Sequence, residues 1–297
     1  MTPWHEPVLV EEVLHWLAPH PGGIYLDGTL GLAGHARRIL EACDPDGRLV
    51  GLDWDGEALA EAQRRLQPFA GRVYLARRSC AAMAEVLAEA GIAQVDGVLL
   101  DLGLSSLQLD ASSRGFSFRQ DQPLDMRMDD RGGQTAADLL AELPEAELAD
   151  LLASYGEERY ARRIARSLAA RRRLAPIRTS AELSELVRRA VPRPAPGAIH
   201  PATRTFQALR MAVNRELEQV DQALSAARQV LAPGGRCLVI SFHSLEDRLV
   251  KTHFRDQAAW QVLTRKPVTP AAEEKAANPR SRSAKLRVAA RAAGRLP

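Results

Sequence analysis

Hydrophobic positions along this chain fall into two alternating rhythms. Val10, Val13, Leu14 and Leu17 recur at helical spacing and predict an amphipathic helix. Short apolar runs follow at Ile24 to Leu26, Arg48 to Leu52, Arg72 to Ala76 and Val95 to Gly103, and these read as strands. Helical patterns separate them. One carries Ile39 and Leu40, a second is capped by Asp55 and runs through Leu66, and a third spans Ala81 to Ala90 with Met83, Val86 and Leu87 on one face. Strand and helix in strict alternation predict an α/β fold with a parallel, doubly wound sheet.

The alternation stops after the fourth strand and resumes near residue 200. Residues 104 to 133 read as loop, and four helical patterns follow, around Leu139 and Leu140, Leu148 and Leu152, Ile164 and Leu168, and Leu183 and Val187. The simplest organisation is an inserted all-helical subdomain at 105–199, with 1–104 and 200–297 forming the sheet domain. Beyond it, Phe206, Leu209, Val213, Leu217, Val220, Leu224 and Leu231 keep one period, predicting a single long helix that Pro233-Gly234-Gly235 terminates. A strand at Cys237 to Phe242, a helix at Glu246 to Phe254, and strands at Trp260 to Thr264 and Lys285 to Ala289 complete the pattern, with residues 266 to 283 read as exposed loop.

Candidate chemistry sits at the strand ends. Asp27, Asp53 and Asp101 each close a predicted strand, and Ser241-Phe242-His243-Ser244 closes another. In an open parallel sheet these ends share one rim, where ligands bind. Between the first strand and its helix lies Asp27-Gly28-Thr29-Leu30-Gly31-Leu32-Ala33-Gly34-His35. It lacks the close glycine pair of a dinucleotide fingerprint, and an acid opens it. Such a loop disfavours a pyrophosphate and suits a cation, so S-adenosylmethionine fits better than NAD, with Asp53 placed to accept from ribose hydroxyls. On the long loop, Phe116 and Phe118 could sandwich a flat base or plug the loop onto the core, the plug being favoured for either one alone, and Asp125 and Arg127 are candidates to pair with each other.

Composition changes the picture in one place. The chain has 297 residues and a formal net charge of +3, which says little by itself. Residues 159 to 193, however, hold eleven arginines against two glutamates, with an Arg171-Arg172-Arg173 cluster near the proline-rich stretch at 192–196. That segment is a candidate phosphate grip. Three scattered cysteines suggest neither a disulfide framework nor a metal site, and the absence of a long apolar run or leader fits a cytoplasmic protein.

Longer motifs identify a resemblance. DGTLGLAGH (27 to 35), LLDLGLSSLQLD (99 to 110), RGFSFRQDQPLDMRM (114 to 128), HPATRTFQALRMAVNRELE (200 to 218), SFHSLEDRLVK (241 to 251) and NPRSRSAKLRV (278 to 288) resemble the bacterial 16S ribosomal RNA cytosine-N4 methyltransferase family nearly end to end. The resemblance implies a class I methyltransferase: a Rossmann-like parallel sheet with one antiparallel strand, interrupted by a helical insertion. It implies S-adenosylmethionine as cofactor, with Ala33, Gly34, His35, Asp53, Asp101 and Gln108 in contact with it. It implies a cytosine of the decoding region of 16S rRNA, within the small ribosomal subunit, as the target. Two departures stand out. Ala33 occupies a place where the family usually has glycine, and Ser79 one where it often has an aromatic residue.

Methylating an exocyclic amine needs a hydrogen-bond acceptor for its N–H, so that the nitrogen can pyramidalise. Ser105 and His243 are the candidate catalytic groups, with Ser106 close behind. A methyltransferase of small molecules or proteins, a cofactor-binding assembly factor without catalysis, and an NAD dehydrogenase are the competing readings.

Overall fold

The computed structural model describes residues 7–105, 107–111, 113–195, 197 and 199–293. After helix α1 (Val10–Leu17) the chain runs β1 (Ile24–Asp27), α2 (Gly34–Ala42), β2 (Arg48–Leu52), α3 (Gly56–Arg65), β3 (Val73–Ala76), α4 (Met83–Glu89) and β4 (Val95–Asp101). Helices α5 (Ala136–Glu142), α6 (Glu145–Gly156), α7 (Ala161–Arg172), α8 (Ser180–Ala190), α9 (Thr203–Asn214) and α10 (Glu216–Val230) follow. The chain ends with β5 (Leu231–Ser241), α11 (Ser244–Phe254), β6 (Trp260–Val262), α12 (Ala272–Ala277) and β7 (Lys285–Arg291).

Seven strands form one sheet in the order β3-β2-β1-β4-β5-β7-β6. β3, β2, β1, β4 and β5 are parallel, and β7 is antiparallel to both its neighbours. Side chains alternate across it. Tyr25, Leu49, Leu99 and Ile240 meet Val13, Leu17, Ile39 and Leu40 on one face. Leu26, Val50, Leu100 and Val239 meet Met83, Val86, Leu87, Leu224, Val250 and Phe254 on the other. A slip of one residue would exchange these faces, so burial of roughly 1.5–3 kcal/mol per large apolar side chain pins the register. Strand order reverses between β1 and β4, which puts a crevice beyond the ends of those two strands.

Two compact units divide the chain: Met1–Ser105 with Leu217–Pro297, and Ser106–Glu216. The second is helical. Its core gathers Leu140, Leu148, Leu152, Ile164, Leu168, Leu183, Val187, Phe206 and Leu209, all buried, and α9 falls in this unit. Gly156 lets α6 and α9 approach, since a Cβ there would come within 2.7 Å of the Arg204 carbonyl oxygen.

Three expectations are corrected. The long helix from Phe206 to Leu231 is two helices, because Arg215 takes a left-handed conformation (φ 50°) between α9 and α10. Pro233-Gly234-Gly235 does not follow the helix as a terminator but bulges inside β5: Val95 pairs with Leu231 and Gly97 already with Arg236. Residues 266 to 283 contain α12 and a 3₁₀ turn at Pro279–Ser283. No helix among the described residues is long and apolar enough to cross a membrane.

Candidate active site

The glycine loop is held by the strands on both sides of β1. Gly28 N–H donates to the Leu99 carbonyl (2.9 Å) and Leu30 N–H to that of Leu52 (2.9 Å). Gly31 N–H donates to Asp53 Oδ2 (2.8 Å), and Asp101 N–H donates to Thr29 Oγ1 (2.6 Å). Gly28 is required by packing, since a Cβ there would lie 2.6 Å from Leu100 Cδ2, whereas Gly31 is required by its backbone (φ +51°). Arg65 fixes the far side of the loop by donating to the Leu32 carbonyl (3.0 Å). Ala33, the helix N-cap, is buried in the left-handed region (φ 60°), a conformation that favours the glycine expected there.

Three carboxylates end neighbouring strands here. Asp53 accepts from Gly31 N–H and, through Oδ1, from Asp55 N–H (2.9 Å), which fixes its orientation at the tip of β2. Asp27 is 2% exposed and accepts from Thr29 N–H (3.1 Å). Burial pushes its carboxyl up to about 7; His35 and the Thr29 amide pull down, while Asp101 and Asp53 push further up. His35, on the first turn of α2, is buried with Nε2 3.5 Å from Asp101 Oδ2. His35 Nε2 and Asp101 Oδ1 are both buried without a hydrogen-bond partner. A buried polar atom left unpaired costs about 1–3 kcal/mol. The site is thus short of positive charge and of a donor, and a ligand carrying a cation and an ammonium N–H supplies both. The residues fit S-adenosylmethionine.

Ala33, Gly34, His35, Asp53 and Asp101 therefore converge, and Ser105 joins them: a Cβ on Gly31 would sit 3.8 Å from that of Ser105. His243 lies at the end of the next strand, β5, and N-caps α11. Its Nδ1 accepts from Glu246 N–H (3.4 Å), and its Nε2 lies 3.2 Å from Glu246 Oε1. Both ring nitrogens thus face Glu246. Gln108 belongs to the helical unit, buried in the turn Leu107–Ala111. Ser106 lies outside the described residues.

The model of the MraW methylase family matches residues 2–292. The chain belongs to that family. Ribosomal RNA small subunit methyltransferase H of Desulfotalea psychrophila is 52% identical over 96% of this chain and 97% of its own length. The protein of the same name from Geotalea uraniireducens is 52% identical, again over 96% and 97%. A solved rRNA methylase from Streptococcus thermophilus shares 8% identity at a TM-score of 0.45, covering 95% of this chain and 93% of its own.

In this family member the other side chains singled out by the sequence have defined places. Phe116 is buried under the Arg114 guanidinium (5.5 Å), and Phe118 stacks on His200 (4.3 Å) with its edge to Phe206 (5.2 Å). Both plug their loop rather than forming an open base sandwich. Asp125 and Arg127 do pair, at 2.8 and 2.7 Å. Arg171 donates to the Ala175 carbonyl (2.6 Å) and Arg172 to that of Leu140 (2.5 Å), so two of the three clustered arginines tie backbone. Ser79 caps a 3₁₀ turn and bonds Gln219, offering no aromatic face. Thr29 was missed: it fastens the loop to Asp101, and the threonine two residues after a strand-ending acid was its only signal.

Proposed function

We propose that the chain transfers a methyl group from S-adenosylmethionine to the exocyclic N4 amine of a cytosine in the decoding region of 16S ribosomal RNA, with the small subunit as substrate. One observation carries the reading. A cluster of three strand-ending carboxylates, Asp27 buried among them and Asp101 with one unpartnered buried oxygen, is suited to a cationic cofactor and sits in a chain 52% identical over nearly its full length to proteins named for small-subunit rRNA methylation.

The cofactor supplies an electrophilic methyl on a sulfonium. The residues around it divide the remaining work. Asp53, held by two backbone N–H groups, accepts from the ribose hydroxyls. Asp101 and His35 face the amino-acid end, with Ala33 and Gly34 leaving the backbone open to close approach. Cytosine's amine is a poor nucleophile because its lone pair is delocalised into the ring. Ser105 accepts a hydrogen bond from it, which favours the pyramidal nitrogen that attack requires. His243 is the second base-facing group: its Nδ1 caps α11 through the Glu246 amide, and its Nε2 has no hydrogen-bond partner.

Transfer of labelled methyl to undermethylated small ribosomal subunits, followed by nucleoside analysis, tests the reading. Label on cytosine N4 is expected. Label on another nucleoside moves the target, and no label despite cofactor binding sinks the assignment in favour of a non-catalytic assembly role. Single-turnover rates test the roles. Ser105→Ala is expected to slow transfer by about 10²-fold, within the range of a positioned proton acceptor. His243→Ala removes a helix cap, and is expected to cost about 1 kcal/mol of stability in addition to rate. Full rates in both variants would discard both roles.

A further inference from the structure

Helix α11 begins at the rim, directly after His243, and its two sides differ. Glu246, Val250 and Phe254 are buried. Ser244, Arg248, Lys251 and Arg255, spaced i, i+4, i+7 and i+11, form one exposed stripe about 16 Å long. A solvated helix face ordinarily mixes signs, and this one contains no acid.

Several acids on and beside the helix are paired away from Lys251 and Arg255. Glu246 is buried and accepts from the amides of Phe242 (2.8 Å) and His243 (3.3 Å). Asp247 pairs with Arg287 (2.6 Å) and Lys285 (3.5 Å). Asp256 lies 3.7 Å from Arg228, and Asp221 2.7 Å from His253. Neither Lys251 nor Arg255 has a carboxylate within ion-pair distance among the described residues.

We propose that Lys251 and Arg255, on the outer stripe of α11, bind the phosphodiester backbone of the RNA substrate on the sheet unit itself. The inference rests on the RNA-substrate reading above. A line of cations on an exposed face neutralises consecutive phosphates and releases their counterions, so its signature is salt dependence. The helix dipole also favours cations in the last turn, but that role acts on stability and leaves the salt dependence of RNA binding unmoved.

The test is binding of a fluorescent single-stranded RNA containing cytosine, followed by anisotropy between 50 and 200 mM salt (about the range over which counterion release is read). The unaltered chain is compared with Lys251→Gln/Arg255→Gln, with Arg255→Lys, and with Arg37→Gln/Arg38→Gln as a control on exposed arginines of α2 that already face Glu41 and Glu11. The double variant on α11 is expected to lower the log–log slope by about 1.4, roughly 0.7 for each phosphate no longer neutralised. Arg255→Lys and the α2 control are expected to keep it, and cofactor binding is expected to stay the same in all. An unchanged slope in the α11 double variant that still binds RNA overturns this surface alone. An unaltered protein that binds neither this RNA nor undermethylated small ribosomal subunits overturns the substrate reading as well.

Discussion

At the scale of single residues, Asp27 carries the sharpest consequence. It ends β1, the strand beside the switch point, and burial raises its carboxyl to about 7. A folded-state value above the unfolded one means that the folded chain holds a proton the unfolded chain has lost. Stability therefore falls as pH rises from about 4, the ordinary aspartate value, to 7, and is level beyond. Each unit of that window is worth about 1.4 kcal/mol. Asp27→Asn keeps an acceptor for the Thr29 amide and removes the titration. Its gain in melting temperature over the unaltered protein is therefore expected to be small near pH 4, to grow towards pH 7, and then to stay constant. A gain independent of pH would show that Asp27 is ionised throughout. The same variant is expected to bind the cationic cofactor more weakly above pH 7, where an ionised Asp27 attracts it. The strand-ending acid was legible in the sequence. Its depth was not, because burial depends on which strands flank β1, and strand order is not written in local pattern.

At the scale of elements, what the sequence revealed and what it hid divide along physical lines. Strands β1 to β4 and the helices between them follow from periodicity alone, because both sheet faces are covered and each element buries one apolar side. Local strain was invisible. The pattern from Phe206 to Leu231 keeps its period across Arg215, yet the backbone turns left-handed there without a glycine to mark it. Asn214 gives the reason: its side chain accepts from Met128 N–H (2.8 Å) and donates to the carbonyl of Met126 (2.8 Å), so the end of α9 is anchored to the loop at 126–128. Pro-Gly-Gly was ambiguous in kind, since the residues that end a helix also form a strand bulge. Aromatic residues on a polar loop were ambiguous too: Phe118 stacks on His200, some eighty residues away, a pairing that no spacing rule supplies. For the site, the identities of His35, Asp53 and Asp101 were readable, whereas the unpartnered oxygen of Asp101 and the Thr29 link needed coordinates.

At the scale of the molecule, net charge of +3 conceals a division of labour among arginines. Those whose guanidinium donates to a backbone carbonyl are structural. Arg171 closes the α7–α8 turn on Ala175, and Arg172 holds the last turn of α5 through Leu140. Hydrogen bonds from charged groups contribute about 1.5–3 kcal/mol, so Arg171→Gln and Arg172→Gln are each expected to lower stability on that order. Arg162, Arg163 and Arg173 are exposed, with no ion pair among the described residues. Neutralising these three is expected to leave stability within about 0.5 kcal/mol and to reduce the salt slope of RNA binding by about 0.7 for each phosphate that then keeps its counterion. Denaturant melts and salt titrations on the two sets of variants separate the roles. If the Arg171 and Arg172 variants change the slope while keeping full stability, the carbonyl hydrogen bonds are dispensable and the whole cluster grips RNA. The opposite pattern restricts the grip in the helical unit to the exposed arginines, because a guanidinium fixed on a carbonyl of its own chain is not free to turn its remaining donors to a phosphate.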